Sequence, residues 1–203
     1  GSSLIGPGQS HTVDVVIIAP YGLKESERWF YGGYLNFELA WGGSDADVQT
    51  LVVPYAGFNG DFSKLDVLAE PSSDFPRIVD NDLKTHDDLT AFAADVNNTL
   101  VLEYRLDLPS RLVTATLLDS KNSTVGYLPD GYVEYATRNM RDAGTEMNEV
   151  EISGTVFTDS KLTKKISVPN GLYRAQIKAL RPFGDTKKAS DYQTWTSQVF
   201  SIA

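Results

Sequence analysis

Proton-transfer chemistry near neutral pH falls to two side chains, His11 and His86, because the histidine count is 2. A serine nucleophile needs a histidine held between its hydroxyl and a carboxylate. His11 follows Ser10 near the start of the chain, and His86 lies among Asp82, Asp87 and Asp88; neither sits in a nucleophile's setting. No Gly-x-Ser-x-Gly elbow occurs. Gly6-Pro7-Gly8 lacks the third glycine and the following helix of a dinucleotide loop. With a cysteine count of 0, thiol catalysis, thiolate metal sites and disulfides are excluded. Asp80, Asp82, Asp87, Asp88 and Asp95 would suit a hard cation, but their spacing does not fit a twelve-residue calcium loop and reads as a solvated acidic face. The other carboxylates read as surface charge, since sequence alone cannot set two of them across a glycosidic bond. The chain reads as non-enzymatic, with no catalytic triad, cofactor or metal.

Recognition is the chemistry that remains. Trp29, Phe30, Tyr31 and Tyr34 cluster at the start of an expected strand, with Trp41 at its end. Tyr55 and Phe58 lie in a second aromatic stretch, Leu51-Val52-Val53-Pro54-Tyr55-Ala56-Gly57-Phe58-Asn59-Gly60-Asp61-Phe62. Aromatic rows on a β-face can stack on sugar rings; they can equally cap a core or bury against a neighbouring domain. The second stretch reads as a strand stopped by Pro54, followed by a turn carrying two aromatic plugs. That turn either packs on its own domain or docks another.

The elements that must hold these residues are strands. His11–Ala19 reads as one, with Val13, Val15 and Ile17 on a shared face. Tyr34–Trp41 alternates apolar Leu35, Phe37 and Leu39 with Tyr34, Asn36 and Glu38, and Ala46–Val53 returns as a third. Between Ser63 and Asn98 the pattern weakens; Thr85–Phe92 fits a short capped helix or an ordered loop. Leu100–Leu108 alternates cleanly, with Val101, Glu103, Arg105 and Asp107 on the polar side. Arg111–Leu118, Val125–Tyr135 with a Pro129-Asp130-Gly131 turn, Val150–Phe157, Leu172–Leu180 after Pro169-Asn170-Gly171, and Trp195–Ile202 complete the set. Turn signals every ~8–12 residues point to all-β architecture, as two consecutive β-sandwich domains over residues 4–98 and 99–203.

Charge agrees with two unlike units. The net charge is −9 overall, yet residues 1–98 carry 15 acidic and 5 basic side chains against 12 and 13 in residues 99–203. No basic stripe offers itself to a nucleic acid, and no apolar run approaches the ~18 residues of a membrane span. Gly1-Ser2-Ser3 reads as a vector remnant, and the absence of a leader suggests a segment that starts inside a longer protein. Asn97-Asn98-Thr99 and Asn122-Ser123-Thr124 are glycosylation sequons in polar segments, weak signs of secretion that make Asn97 and Asn122 candidate acceptors.

The stretch Val53-Pro54-Tyr55-Ala56-Gly57-Phe58-Asn59-Gly60-Asp61-Phe62 resembles the signature of the fibronectin type III-like domain of subtilisin-like serine proteases. Leu100–Leu106, Gly126-Tyr127-Leu128-Pro129, Val133-Glu134-Tyr135, Arg138-Asn139, Val168–Arg174, Ala179–Asp185 and Thr194-Trp195-Thr196-Ser197 look like the region that follows it in secreted fungal members. These short matches spread over residues 13–202. Ile152-Ser153-Gly154-Thr155 departs from the Trp-Asp-Gly common there, which puts one local turn in doubt. The resemblance implies a non-catalytic C-terminal region of a secreted endopeptidase whose catalytic residues lie in another domain. The implied partner is that catalytic domain, with the aromatics packed against it or covered in their own unit; the alternative is a targeting module for polysaccharide or cell wall, using Trp29, Phe30, Tyr31, Tyr34, Tyr55 and Phe58.

Overall fold

The computed structural model describes residues 4–24, 29–39, 49–69, 74–95, 97–140 and 146–203. The protein is all-β, with short 3-10 turns and no α-helix among the described residues. It divides into two compact units, residues 1–62 and 63–203.

In the first unit, β1 (Phe30–Leu39) and β2 (Gln49–Phe58) form a two-stranded antiparallel sheet, in register from Phe30 opposite Phe58 to Leu39 opposite Gln49. The expected alternation of Leu35 and Phe37 with Tyr34, Asn36 and Glu38 is present, although the strand starts at Phe30. Trp41 lies outside the described residues. Pro54 does not end β2, which continues to Phe58. Among the described residues β1 is its one partner, and Pro54 stands on this edge strand, where proline is tolerated. Tyr55, Gly57 and Phe58 are therefore strand residues, and the chain bends only at Asn59 and Gly60. The expected strand at His11–Ala19 is coil, and no described residue pairs with it in a ladder. Its apolar side chains are exposed, Val16 by 84% and Ile18 by 82%.

In the second unit, apolar alternation does what it promised. Leu100, Leu102 and Tyr104 of β5 (Leu100–Tyr104) and Tyr173, Ala175, Ile177 and Ala179 of β11 (Gly171–Leu180) enter one buried core. That core lies between two sheets. The smaller orders β3 (Arg77–Val79), β5 and β8 (Asn148–Ile152). The larger runs β10 (Lys165–Ser167), β9 (Thr155–Phe157), β7 (Thr124–Ala136), β6 (Ser110–Leu118), β11, β13 (Phe200–Ile202), β4 (Ala93–Ala94), with β12 (Tyr192–Thr196) also on β11. This is a β-sandwich.

The expected Val150–Phe157 strand is two strands in two sheets. It breaks at Ser153 and Gly154, where Gly154 has a left-handed φ of 76°. The expected Pro129-Asp130-Gly131 turn is an irregularity inside β7. Thr114 faces Tyr132 and Thr116 faces Tyr127, so the turn fills the gap opposite Ala115. A Cβ at Gly131 would collide with the Ala115 carbonyl, which is why glycine stands there. The expected last strand is β12 and β13, interrupted by buried Ser197. Its N–H donates to the Ala175 carbonyl at 2.8 Å, and its Oγ accepts the Ala175 N–H at 2.9 Å. Thr85–Phe92 is a loop.

The unit boundary also differs from the expected 98/99 division. β3 pairs with β5, Ile78 opposite Leu102, and β4 lies parallel to β13, Ala94 opposite Ile202. Val67, Leu68, Ile78 and Leu89 are core residues of the same sandwich as Leu100. Residues 63–98 thus belong with the second half.

Candidate functional site

The paired strands of the first unit have two faces, set by the pleat and the register. Tyr31, Gly33, Leu35 and Phe37 of β1 share one face with Gly57, Tyr55, Val53 and Leu51 of β2. Phe30, Gly32, Tyr34, Asn36 and Glu38 share the other with Phe58, Ala56, Pro54, Val52 and Thr50.

The first face is built on two reciprocal pairs. Tyr31 is directly opposite Gly57, and Tyr55 is directly opposite Gly33. Each ring lies over its glycine: a Cβ at Gly33 would come within 2.7 Å of the Tyr55 hydroxyl, and one at Gly57 would enter the Tyr31 ring. The glycines leave room for the rings to lie down, and the rings replace the side-chain cover a glycine cannot give. Beyond them the surface continues through Leu35, Val53, Phe37 and Leu51, with no charged side chain among these eight positions. Leu51 and Val53 are exposed, and no residue of this unit whose burial is described, which leaves out Leu39 and Gln49, is buried.

The second face carries a ring cluster at one end. Phe30 and Phe58 have centroids 5.0 Å apart at 55°, and Phe62 meets Phe30 at 5.9 Å and Phe58 at 5.3 Å, edge-on at 75° in both cases. Tyr34 stands apart at 72% exposure. Trp29, half-exposed, precedes β1; its carbonyl accepts the Asn59 N–H at 2.9 Å, and Asn59 Nδ2 donates to the Leu23 carbonyl at 3.2 Å. Asn59 thereby fastens the end of the hairpin to the preceding coil.

The six candidate residues therefore do not make one platform. Tyr31 and Tyr55 lie on one face, Phe30, Tyr34 and Phe58 on the other, and Trp29 outside the ladder. Sequence reading missed Phe62, and it missed the Tyr–Gly reciprocity. The signal was there: Tyr31-Gly32-Gly33 and Tyr55-Ala56-Gly57 are both Tyr-x-Gly, which an antiparallel register sets in opposition.

In the second unit a histidine and an aspartate form a close pair. His86 Nε2 lies 2.6 Å from Asp80 Oδ2, and Asp80 Oδ1 accepts the N–H of Asp82 at 2.8 Å and of Lys84 at 3.0 Å. The Lys84 amide, then the His86 ring, hold the Asp80 carboxyl below its ordinary value. Gln198 Nε2 donates to the His86 carbonyl at 2.9 Å, and the His86 ring packs on Phe92, so this pair ties a loop to the sandwich. Among the described residues no group of three or more His, Asp or Glu is placed to hold a metal.

Glu103 and Asp80 are polar residues the sequence assigned to solvent and the structure buries: Asp80 leaves the expected acidic face because the Asp82 and Lys84 amides and His86 enclose its carboxyl, and Glu103 is the more extreme case. It is 0% exposed, with Oε2 on Arg77 Nε at 2.5 Å and Oε1 without a hydrogen-bond partner. Beside it, burial pushes the Tyr104 hydroxyl up to about 12. A cleft of about 470 Å³ borders Ser63, Lys64, Arg181, Phe183 and Asp191, but Arg181 is already spent on Asp66 at 2.7 Å. No model of a known protein family matches the chain, and no curated protein matches it.

Proposed function

We propose that the chain is a non-catalytic accessory region of a secreted subtilisin-like serine endopeptidase, and that its first unit docks on the catalytic domain of that protease. The observation that carries this reading is the tyrosine–leucine face of β1 and β2 in a unit without a buried side chain among its described residues. An isolated two-stranded sheet is marginal in water, and such a face gains stability only when something covers it. The resemblance of Val53–Phe62 to the protease-associated signature names the cover, since Tyr55 and Gly57 of that signature are the residues that shape the face.

Glycan targeting fits less well. A sugar platform needs exposed, coplanar rings, whereas Phe30, Phe58 and Phe62 meet at 55–75° and use one another's edges.

Co-expression tests the docking reading. The catalytic domain is produced with this region and without it, and with a Leu35→Asp/Val53→Asp variant. The region should raise the yield and melting temperature of the catalytic domain, and the double variant should lose that gain. Equal yield, melting and cleavage of large substrates in all three would overturn it. Retention of the isolated chain on insoluble glycan, lost with Tyr34→Ala, would favour targeting instead.

A further inference from the structure

We propose that Asn122 is the main acceptor for an asparagine-linked oligosaccharide. Asn122-Ser123-Thr124 forms the tip of the β6–β7 hairpin, where residues 120–124 are all exposed. The turn is held by its first residue. Asp119 Oδ1 accepts the N–H of Lys121 and of Ser123, both at 2.8 Å, and backbone bonds run from Asn122 to the Asp119 carbonyl and from Asp119 to the Ser123 carbonyl, both at 2.9 Å. Asn122 adopts a left-handed φ of 60° and contributes no side-chain bond to this arrangement. Its carboxamide and the Thr124 hydroxyl have no partner among the described residues.

Those are the features that transfer demands: a free amide nitrogen, a hydroxyl two residues on for the transferase to recognise, and open solvent for a bulky product. The other sequon meets fewer of them. Asn97 is exposed, but Thr99 is half-buried and its hydroxyl donates to Asn81 Oδ1 at 2.6 Å. Asn98, between them, donates to the Ala93 carbonyl at 3.3 Å, and the next residue, Leu100, is fully buried at the start of β5. Folding commits that triplet to the sandwich and leaves the Asn122 triplet open.

The donor is an oligosaccharide joined through a pyrophosphate to a lipid carrier, delivered by a transferase of the secretory compartment. Asn122 Nδ2 attacks the anomeric carbon. The new C–N bond forms as the C–O bond to pyrophosphate breaks, the lipid pyrophosphate leaves with that electron pair, and one amide proton passes to a base. The inference rests on the secreted reading above for its compartment alone.

The whole chain, led into the secretory pathway of a eukaryotic host, tests it by intact mass and peptide mapping before and after a glycoamidase. The pool inside the compartment is measured together with the released one, so a release failure leaves the result readable. Asn122→Gly keeps a residue suited to positive φ, and Thr124→Ala keeps Asn122 itself. The wild type should carry an enzyme-removable mass increment at Asn122 that both variants lose and Asn97→Gln retains. An unmodified Asn122, or a larger share at Asn97, would overturn the inference while leaving the docking reading untouched; a negative co-expression result would do the reverse.

Discussion

Removing Arg77 exposes how the small sheet handles a buried charge. Arg77 and Glu103 are register partners on β3 and β5, and Glu149 is the partner of Glu103 on the other side. Among the described residues Glu103 has its one countercharge at Arg77 Nε, one lone oxygen, and a second carboxylate across the ladder. Stripping one partner from a buried pair costs ~3–5 kcal/mol, because the remaining charge stays desolvated. Arg77 is 33% exposed, so water screens its side, and the lower range of ~2–3 kcal/mol applies to Arg77→Ala. With a urea slope of ~2 kcal/mol/M, the midpoint should fall by ~1–1.5 M. Trp195 packs against the core of this unit, so its fluorescence in a Trp29→Phe/Trp41→Phe background reports this unit alone. Glu103→Gln should cost less than Arg77→Ala, and Arg77→Met/Glu103→Leu should return to within ~1 kcal/mol of the parent, since an apolar pair leaves no orphaned oxygen. A loss below ~0.5 kcal/mol for Arg77→Ala would mean that Glu103 is hydrated, and a double variant as weak as the sum of its singles would mean that the side chains act by shape.

Three further outcomes follow from the same geometry. The Tyr104 hydroxyl, raised from 10.0 to about 12, favours the folded state fully below pH 10 and loses that contribution as pH rises towards 12; the difference in urea stability between wild type and Tyr104→Phe should change by up to ~2–3 kcal/mol across that interval and stay flat below it. Gly57→Ala should lift the Tyr31 ring and weaken the hairpin by ~1–3 kcal/mol, seen as faster amide exchange along β2, with Tyr31→Ala/Gly57→Ala exchanging no faster than Tyr31→Ala alone. Asp80→Asn should speed exchange of the Asp82 and Lys84 amides; because the Asp80 carboxyl is held low by the Lys84 amide and His86, that protection should be complete above the ordinary carboxylate range and be lost only as pH falls below it, through the lowered folded-state value.

What the sequence made legible was local. Alternation over Leu100–Leu106 and Tyr173–Ala179 needs only neighbouring residues, and it named the core face of both strands. The unit boundary was not local: Ala94 beside Ile202 and Val79 beside Val101 are pairings that neither segment announces, so residues 63–98 looked patternless and were joined to the wrong half. Val13–Ile18 failed in the opposite way. A β-branched run states a preference for extended, covered backbone, but a ladder needs a second strand, and none of the described residues supplies one. Glu103 defeated alternation because the outward side of β5 is buried at that residue, which a single strand's period cannot reveal.

The two units therefore differ in where their stability originates. The second fills its own core: Phe200, Leu89, Leu117, Ile152 and Ile177 are almost wholly enclosed, and side-chain amides tie its loops, Gln193 accepting from Val67 and Leu68, and Asn139 from Leu106. The first has apolar surface of comparable quality and no interior among its described residues. On the docking reading proposed above, free energy that the second unit gains on folding the first would gain on being covered, and its order and its association would be one linked equilibrium. A partner that seats on the Tyr31–Phe37 face would then raise the exchange protection of β2 along its whole length, including residues it never touches, because Tyr55 and Tyr31 cross-brace both strands over their glycines. The same bracing makes Tyr55 and Gly57, two residues apart on β2, one half of a clamp whose other half is Tyr31 and Gly33 on the opposite strand.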